Sequence, residues 1–419
     1  MARLLAYSIP GKGHLFPLMP VLEELRGRGH TVTLLTGADD VELARELGYD
    51  AYAVAPEIES VELNDWTTSD PRKALRLSVQ AMSERAKYDS VDFKTAVERF
   101  DPDVAIVDAN AWGAIFSAEA WGGPWALFFP YPMPLSSKDV PPFGPGLRPA
   151  RGPIGRLRDR ALRPILIGSL ERELVPSIND VRHQIGLGDI HSVDDMFSIA
   201  PLVLSTTATP FEYPRSDLPE NVLMIGACDW DPPADPPEWL SQLERPVVLV
   251  TTSTLYQGDE ELVTTAFAAL ADEPVEVVAT LPSSDPRQFE LPANGRVESY
   301  LPHGLVLERA ACAITHGGMG GTQKALAHGV PVCVVPFGRD QSEVARRVEV
   351  SGAGTRLPAK RLTVDRLRVK VREAMAMAEG AQRVADGFEA AGKGRAAVDA
   401  IEARLLAGPD ARLTADQNP

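Results

Sequence analysis

Cysteine is nearly absent: Cys228, Cys312 and Cys333 are the three in 419 residues. An odd count without C-x-x-C spacing argues against a disulfide framework or a zinc site, and the apolar runs around Cys312 and Cys333 read as core strands. Positive charge is also short, with 42 Lys and Arg against 58 Asp and Glu and a net charge of −16. A nucleic-acid partner needs a basic face, so this class of function is disfavoured. Long apolar runs are missing; no window approaches the roughly 18 residues of a membrane span. The opening M-A-R-L-L-A-Y-S-I-P-G holds one basic residue and an apolar run cut at Pro10, too short for a secretory leader. These absences predict a cytoplasmic protein without stable membrane insertion. The pattern G-x-x-x-x-G-K-[ST] does not occur at the glycine-rich turn described below, which argues against a P-loop.

What is present is an α/β alternation in two series. The length suits two domains of about 200 residues each. Residues 3–9 read as a buried parallel strand, 10–13 as a turn, 15–27 as a helix and 30–36 as the next strand. Residues 103–108 (D-V-A-I-V-D) are another strand, followed by a helix over 112–121 and a strand over 125–129. Residues 130–165 are rich in proline and glycine and read as a long loop. The run A-C-D-W-D-P-P-A-D-P-P marks a stiff linker. A second series follows, with strands at 246–253, 275–281, 296–300, 312–315 and 330–335, then a helical region from 360 to 405. Strands separated by helices predict parallel sheets covered on both faces. The expected organisation is a first domain over 1–226, a linker over 227–240, a second domain over 241–405 and a disordered tail over 406–419.

The densest signal lies between Tyr300 and Val348. An apolar run (310–315) ends in H-G-G-M-G-G-T, with glycines at 317, 318, 320 and 321, and a helical pattern opens at Thr322. Strand, glycine turn and helix N-terminus together make an anion site, because free backbone N–H groups and the positive end of the helix dipole converge there. After a second apolar run come G-R-D-Q, with Asp340 and Gln341. In the first half, His14 follows the first strand in G-K-G-H-L-F-P. The turn fails the dinucleotide fingerprint, since Phe16 stands where the third glycine belongs, and a nicotinamide cofactor is disfavoured. His14 lies beyond the carboxyl end of a strand, where open α/β sheets bind ligands, and imidazole suits a general base. Asp108 ends its own strand and points into the same crevice. Each has a plainer alternative: His14 a turn-bonding residue, Asp108 and Asp340 helix N-caps.

The segment from Tyr300 to Gln341, with its histidine, glycines, G-V-P and D-Q in order, resembles the carboxyl-half signature of the UDP-glycosyltransferase superfamily. It is most similar to bacterial transferases that glycosylate natural products. The resemblance implies a GT-B fold, two Rossmann-like doubly wound parallel-sheet domains facing across a cleft, with the last helix crossing back to the first domain. It implies that His14 deprotonates an acceptor hydroxyl and that Asp108 orients it. His316, Gly318, Gly320, Gly321 and Thr322, with Ser253 and Thr254, would hold the diphosphate. Tyr300 would stack on the nucleobase, and Asp340 and Gln341 would hold the sugar. Trp66, Trp112, Phe129 and Tyr131 are candidates for an apolar acceptor cleft. The implied partners are a dTDP- or UDP-sugar as co-substrate and a hydrophobic, hydroxyl-bearing small molecule. No separate cofactor and no metal are implied, and transfer would invert the anomeric centre. Monomer and homodimer both stay open.

Two positions depart from the family pattern. Lys324 stands where a glutamate binds the ribose hydroxyls; a cation cannot accept hydrogen bonds from hydroxyls, so a deoxyribose donor would lose less. His303 replaces a glutamine. Asp229-Trp230-Asp231 resembles a D-x-D metal site of another glycosyltransferase fold, but it lies in the linker rather than after a core strand. Residues 148–163 carry six arginines against one aspartate, expected as a solvated face, with a membrane surface or an anionic partner as sharper options. Beside the transferase stand a catalytically inactive accessory homologue, a GT-B sugar-nucleotide epimerase and a peptidoglycan-type transferase.

Overall fold

The computed structural model describes residues 1–68, 70–150, 152–254, 258–282 and 285–407. Thirteen strands form two sheets among these residues, and every pairing is parallel. The first sheet holds β1 (Arg3–Tyr7), β2 (Thr31–Thr36), β3 (Asp50–Ala53), β4 (Val104–Asp108), β5 (Trp125–Phe129), β6 (Leu202–Ser205) and β7 (Val222–Met224), in the order β3-β2-β1-β4-β5-β6-β7. The second holds β8 (Val247–Thr251), β9 (Glu276–Thr280), β10 (Gly295–Glu298), β11 (Ala310–Thr315), β12 (Val332–Val334) and β13 (Gly354–Arg356), in the order β10-β9-β8-β11-β12-β13.

The period-2 geometry of a strand sends alternate residues to opposite faces. Leu5, Tyr7, Val107 and Phe129 enter one core; Leu4, Ala6, Ile106 and Phe128 enter the other. In the second sheet, Leu249, Ala313 and Val334 pack on one face, and Val250, Ile314, Cys312 and Cys333 on the other. Burial on both faces explains why these strands read as unbroken apolar runs. All three cysteines are free and buried.

Each sheet reverses its winding direction once: between β1 and β4 in the first, between β8 and β11 in the second. The crevice beyond the carboxyl ends of strands at such a switch point is where α/β sheets bind ligands.

Several local expectations change. The first helix runs Lys12–Gly27, so His14 lies in its first turn rather than before it. Gly11 permits this entry, with a φ of 140° that suits glycine. The segment 130–165 is irregular only to about residue 150; a 34-residue helix, Gly152–Ile185, begins there and continues through Pro164 and Pro176. Ala208 and Phe211, between β6 and β7, leave the first sheet and pack with Leu249, Leu301 and Phe388 of the second core. The helix Lys393–Ile401 returns to the first: Ala397, Val398 and Ile401 pack with Leu18 and Leu22. Arg28 and His30 fix it through Glu402, at 2.7 and 3.0 Å. A last helical turn ends at Leu406; residues 408–419 of the expected tail lie outside the described residues. Among the described residues, no helix is long and apolar enough to cross a membrane.

Candidate active site

The two switch points face one another across a cavity of about 560 Å³, lined by both domains. At the first, Asp108 ends β4 fully buried and His14 stands opposite. The Nδ1 of His14 lies 2.8 Å from Oδ2 and 3.0 Å from Oδ1 of Asp108. A carboxylate only accepts, so Nδ1 carries the proton and Nε2 turns its lone pair toward the cleft. Oδ1 also accepts the Asn110 backbone amide at 2.7 Å, which fixes the carboxylate. The Asn110 side-chain nitrogen lies 3.3 Å from Nε2 of His14, and its carbonyl accepts the Tyr131 hydroxyl at 2.7 Å. Sequence gave no signal for Asn110; its role depends on juxtaposition with a helix 96 residues away.

At the second switch point, the helix Met319–Ala327 opens directly after the glycine turn with Gly318 as its N-cap. The first amides of a helix have no carbonyl one turn back, so those of Met319, Gly320 and Gly321 form the positive end of its dipole. Gly320 has open space where a Cβ would stand. At Gly318 a Cβ would lie 2.4 Å from Nε2 of His316, so the histidine ring folds over the glycine. Burial holds His316 below the ordinary imidazole value, leaving a neutral ring against the turn. Ser253 and Thr254 line the same wall, and the Ser253 amide donates to Asp259 at 2.8 Å. Thr322 does not reach the cavity. Its hydroxyl is buried 3.0 Å from that of Thr315 and its amide bonds Gly318, because the fourth residue of the turn already faces the sheet.

Asp340 occupies the N-cap position of the helix Gln341–Ser351 but makes no side-chain capping bond. Its carboxylate lines the cavity, and burial raises its pKa above the usual carboxylate range. Gln341 also lines the cavity, while its carbonyl oxygen accepts the Phe337 and Gly338 amides at 2.7 and 2.9 Å and shapes the loop. Tyr300 lines the opposite end, 45% exposed, with Lys12 of the first domain 4.9 Å from its ring centre. His303 stands beside it, Nε2 2.9 Å from the Thr280 hydroxyl; burial and the Lys324 charge lower its pKa to about 4, so it is neutral near pH 7.

Of the four candidate acceptor aromatics, Tyr131 alone lines the cavity. Trp112 and Phe129 are core residues: Trp112 opens a helix packed against Pro71–Phe100, and Phe129 shares the inward face of its sheet with Tyr7. Trp66 lies on a short turn, 44% exposed, outside the cavity wall. The apolar wall comes instead from Leu63, Met82, Pro130, Tyr131 and Phe143, which no periodicity in the sequence singles out. The carboxylates of the D-W-D segment hold the Lys324 ammonium, 2.6 Å from Asp231 and 3.6 Å from Asp229. Among the described residues, no group of three or more His, Cys, Asp or Glu side chains is placed to hold a metal ion. In the arginine-rich segment, Arg158 bonds Asp159 and the Arg148 carbonyl, and Arg163 bonds the Ser137 carbonyl.

Residues 264–403 match the family described as erythromycin biosynthesis protein CIII-like, C-terminal domain. Over 388 residues the chain is 34% identical to 4'-demethylrebeccamycin synthase of Lentzea aerocolonigenes, covering 88% of this chain and 91% of that protein. The chain belongs to the UDP-glycosyltransferase superfamily, among the natural-product glycosyltransferases. Two solved structures share the fold of this glycosyltransferase over nearly its whole length. The glycotransferase of kitacinnamycin superposes with a TM-score of 0.74 at 24% identity, covering 96% of this chain and 99% of that one. The glycosyltransferase VinC in complex with dTDP superposes with a TM-score of 0.70 at 21% identity, covering 99% and 100%. The two parallel-sheet domains are those of the GT-B fold.

Proposed function

We propose that this glycosyltransferase moves a sugar from a nucleoside diphosphate, dTDP or UDP, to a hydroxyl of an apolar small molecule such as a polyketide, macrolide or aromatic natural product. The reading rests on one juxtaposition: the His14–Asp108 pair at the first switch point and the glycine-turn helix N-terminus at the second open onto the same cavity. The acceptor enters along the apolar wall of the first domain. Its hydroxyl proton passes to Nε2 of His14, and Asp108 stabilises the imidazolium that forms. The acceptor oxygen bonds to the anomeric carbon as the bond from that carbon to the diphosphate oxygen breaks. A single displacement inverts the configuration.

The leaving diphosphate carries the negative charge that develops, and the amides of Gly320 and Gly321 with the helix dipole receive it. These groups supply the electrostatic stabilisation without a metal ion. Asp340 and Gln341 hold the transferred sugar, and Tyr300 stacks on the base. The glycosyltransferase VinC, alike in fold, is a complex with dTDP, which supports a nucleoside diphosphate donor here. The test is incubation with UDP- and dTDP-sugars and a panel of hydroxylated aromatic and polyketide acceptors in EDTA, read by mass spectrometry and by the anomeric proton coupling. A β-glycoside from an α-linked donor is expected. Retention, or a strict need for a divalent cation, contradicts the mechanism.

A further inference from the structure

Lys324 stands one helical turn beyond Gly320 and Gly321 on the same helix, about 5.4 Å further along the axis. It lines the cavity, with its ammonium turned to the linker. Besides Asp231 and Asp229 it meets the Trp230 carbonyl at 2.5 Å, and its side chain is 11% exposed. The linker residues that engage it, Asp229, Trp230 and Asp231, line the cavity as well. Asp229 is also bonded by His328 Nε2 at 3.0 Å, whereas Asp231 keeps acceptor capacity beyond its bond to the ammonium. Asp231 bonds Lys324 through Oδ1 and the Gly304 amide through Oδ2 at 2.8 Å, and each carboxylate oxygen has a second lone pair. Asp231 also sits near Tyr300, whose hydroxyl pKa it helps burial to push up to about 12.

In any nucleoside diphosphate the pentose lies between base and diphosphate. A nucleotide stacked on Tyr300 with its diphosphate on Gly320 and Gly321 therefore lays its pentose beside the Lys324–Asp231 pair. We infer that Asp231, anchored by Lys324, accepts the ribose hydroxyls of the donor, so that the enzyme selects a ribonucleotide over its 2′-deoxy counterpart; this rests on the donor site proposed above. The lysine does not abolish hydroxyl recognition. It imports the missing carboxylate from the interdomain linker, and Phe16 and Glu23 of the first helix hold that linker by contacts to Trp230.

Calorimetric titration of the full chain with UDP and with 2′-deoxy-UDP tests this, since the two ligands differ by one hydroxyl. UDP is expected to bind roughly tenfold more tightly. In the double substitution Asp231→Ala with Lys324→Met, which removes cation and carboxylate together, the two affinities are expected to converge. Equal affinities in the unmodified enzyme overturn the inference and leave the transferase reading standing. A preference that survives the double substitution overturns the assignment to Asp231. Failure of both nucleotides to bind overturns the donor site itself. The comparison on the unmodified enzyme decides the matter even if the double variant does not fold.

Discussion

Arg339 of the second domain makes a two-pronged ion pair with Asp65 of the first, with both nitrogen–oxygen distances at 2.9 Å. Arg339 also lines the cavity and immediately precedes Asp340, so the pair ties the Asp340 loop of the second domain to the first domain. Its neighbours reinforce the closure. Glu343 accepts the amides of Gly144 and Gly146 at 2.8 and 2.9 Å, and Gln323 donates to the Thr206 carbonyl at 2.7 Å.

Removing the carboxylate in Asp65→Ala leaves Arg339 without its counter-charge and loosens the closed cleft. A loss of kcat/KM of roughly 10- to 100-fold is expected, about 1.4–2.8 kcal/mol, with donor hydrolysis rising relative to transfer as water enters. Product and free sugar measured in one assay separate the two effects. An unchanged partition between them counts against a closure role.

Asp108→Asn keeps the shape of the pair but lets the side chain donate a hydrogen bond, so His14 can present the wrong tautomer. Turnover is expected to fall roughly 10³-fold. Donor affinity, measured by titration, is expected to stay as in the unmodified enzyme because the proposed donor site lies on the other domain. A large loss of donor affinity would mean that Asp108 acts structurally.

Gly318→Ala puts a methyl group where the His316 ring now lies, 2.4 Å from Nε2. The obstacle is a side chain that can swing away, so little stability is lost. Displacing the ring from the proposed diphosphate site is expected to raise the donor KM about tenfold. Melting temperature and donor KM, taken together, distinguish this outcome from general destabilisation.

Asp89 is buried on the helix Pro71–Phe100 with its Oδ1 unpaired, and burial, with Asp92 and Asp108 nearby, raises its pKa well above the carboxylate range. The folded chain therefore keeps a proton that the unfolded chain releases at about 3.9. The stabilising contribution is full below that value and is lost as pH rises toward the folded one. Asp89→Asn removes the linkage, so its melting temperature should gain on the parent's as pH rises from about 4 to about 8. Parallel curves would contradict the buried, protonated carboxyl.

The parallel sheets and the two switch-point turns were legible because β4, β5, β8 and β11 are apolar runs and because glycine and histidine mark the turns that follow. The helix Gly152–Ile185 was not, since Pro153, Pro164 and Pro176 read locally as breakers and tertiary packing overrides them. The helix Pro71–Phe100 went unassigned although no proline or glycine interrupts it after its first position. Its partner is the helix Trp112–Trp121, against which it lies so closely that a Cβ on Gly113 would meet the Ala86 carbonyl oxygen at 1.8 Å. Aromatic identity did not separate Tyr131 from Phe129, because one residue of strand end decides whether a ring faces core or cleft. Asn110, Arg339 and the Lys324–Asp231 pair owe their positions to contacts between distant segments, which no short motif encodes.

The central claim is that His14 takes the acceptor proton while the second domain holds the donor. It is tested most directly by His14→Ala, with product formation and donor binding measured on the same protein. The account predicts that transfer is lost by about 10³-fold or more while the donor nucleotide binds as before. Transfer at the rate of the unmodified enzyme would contradict it.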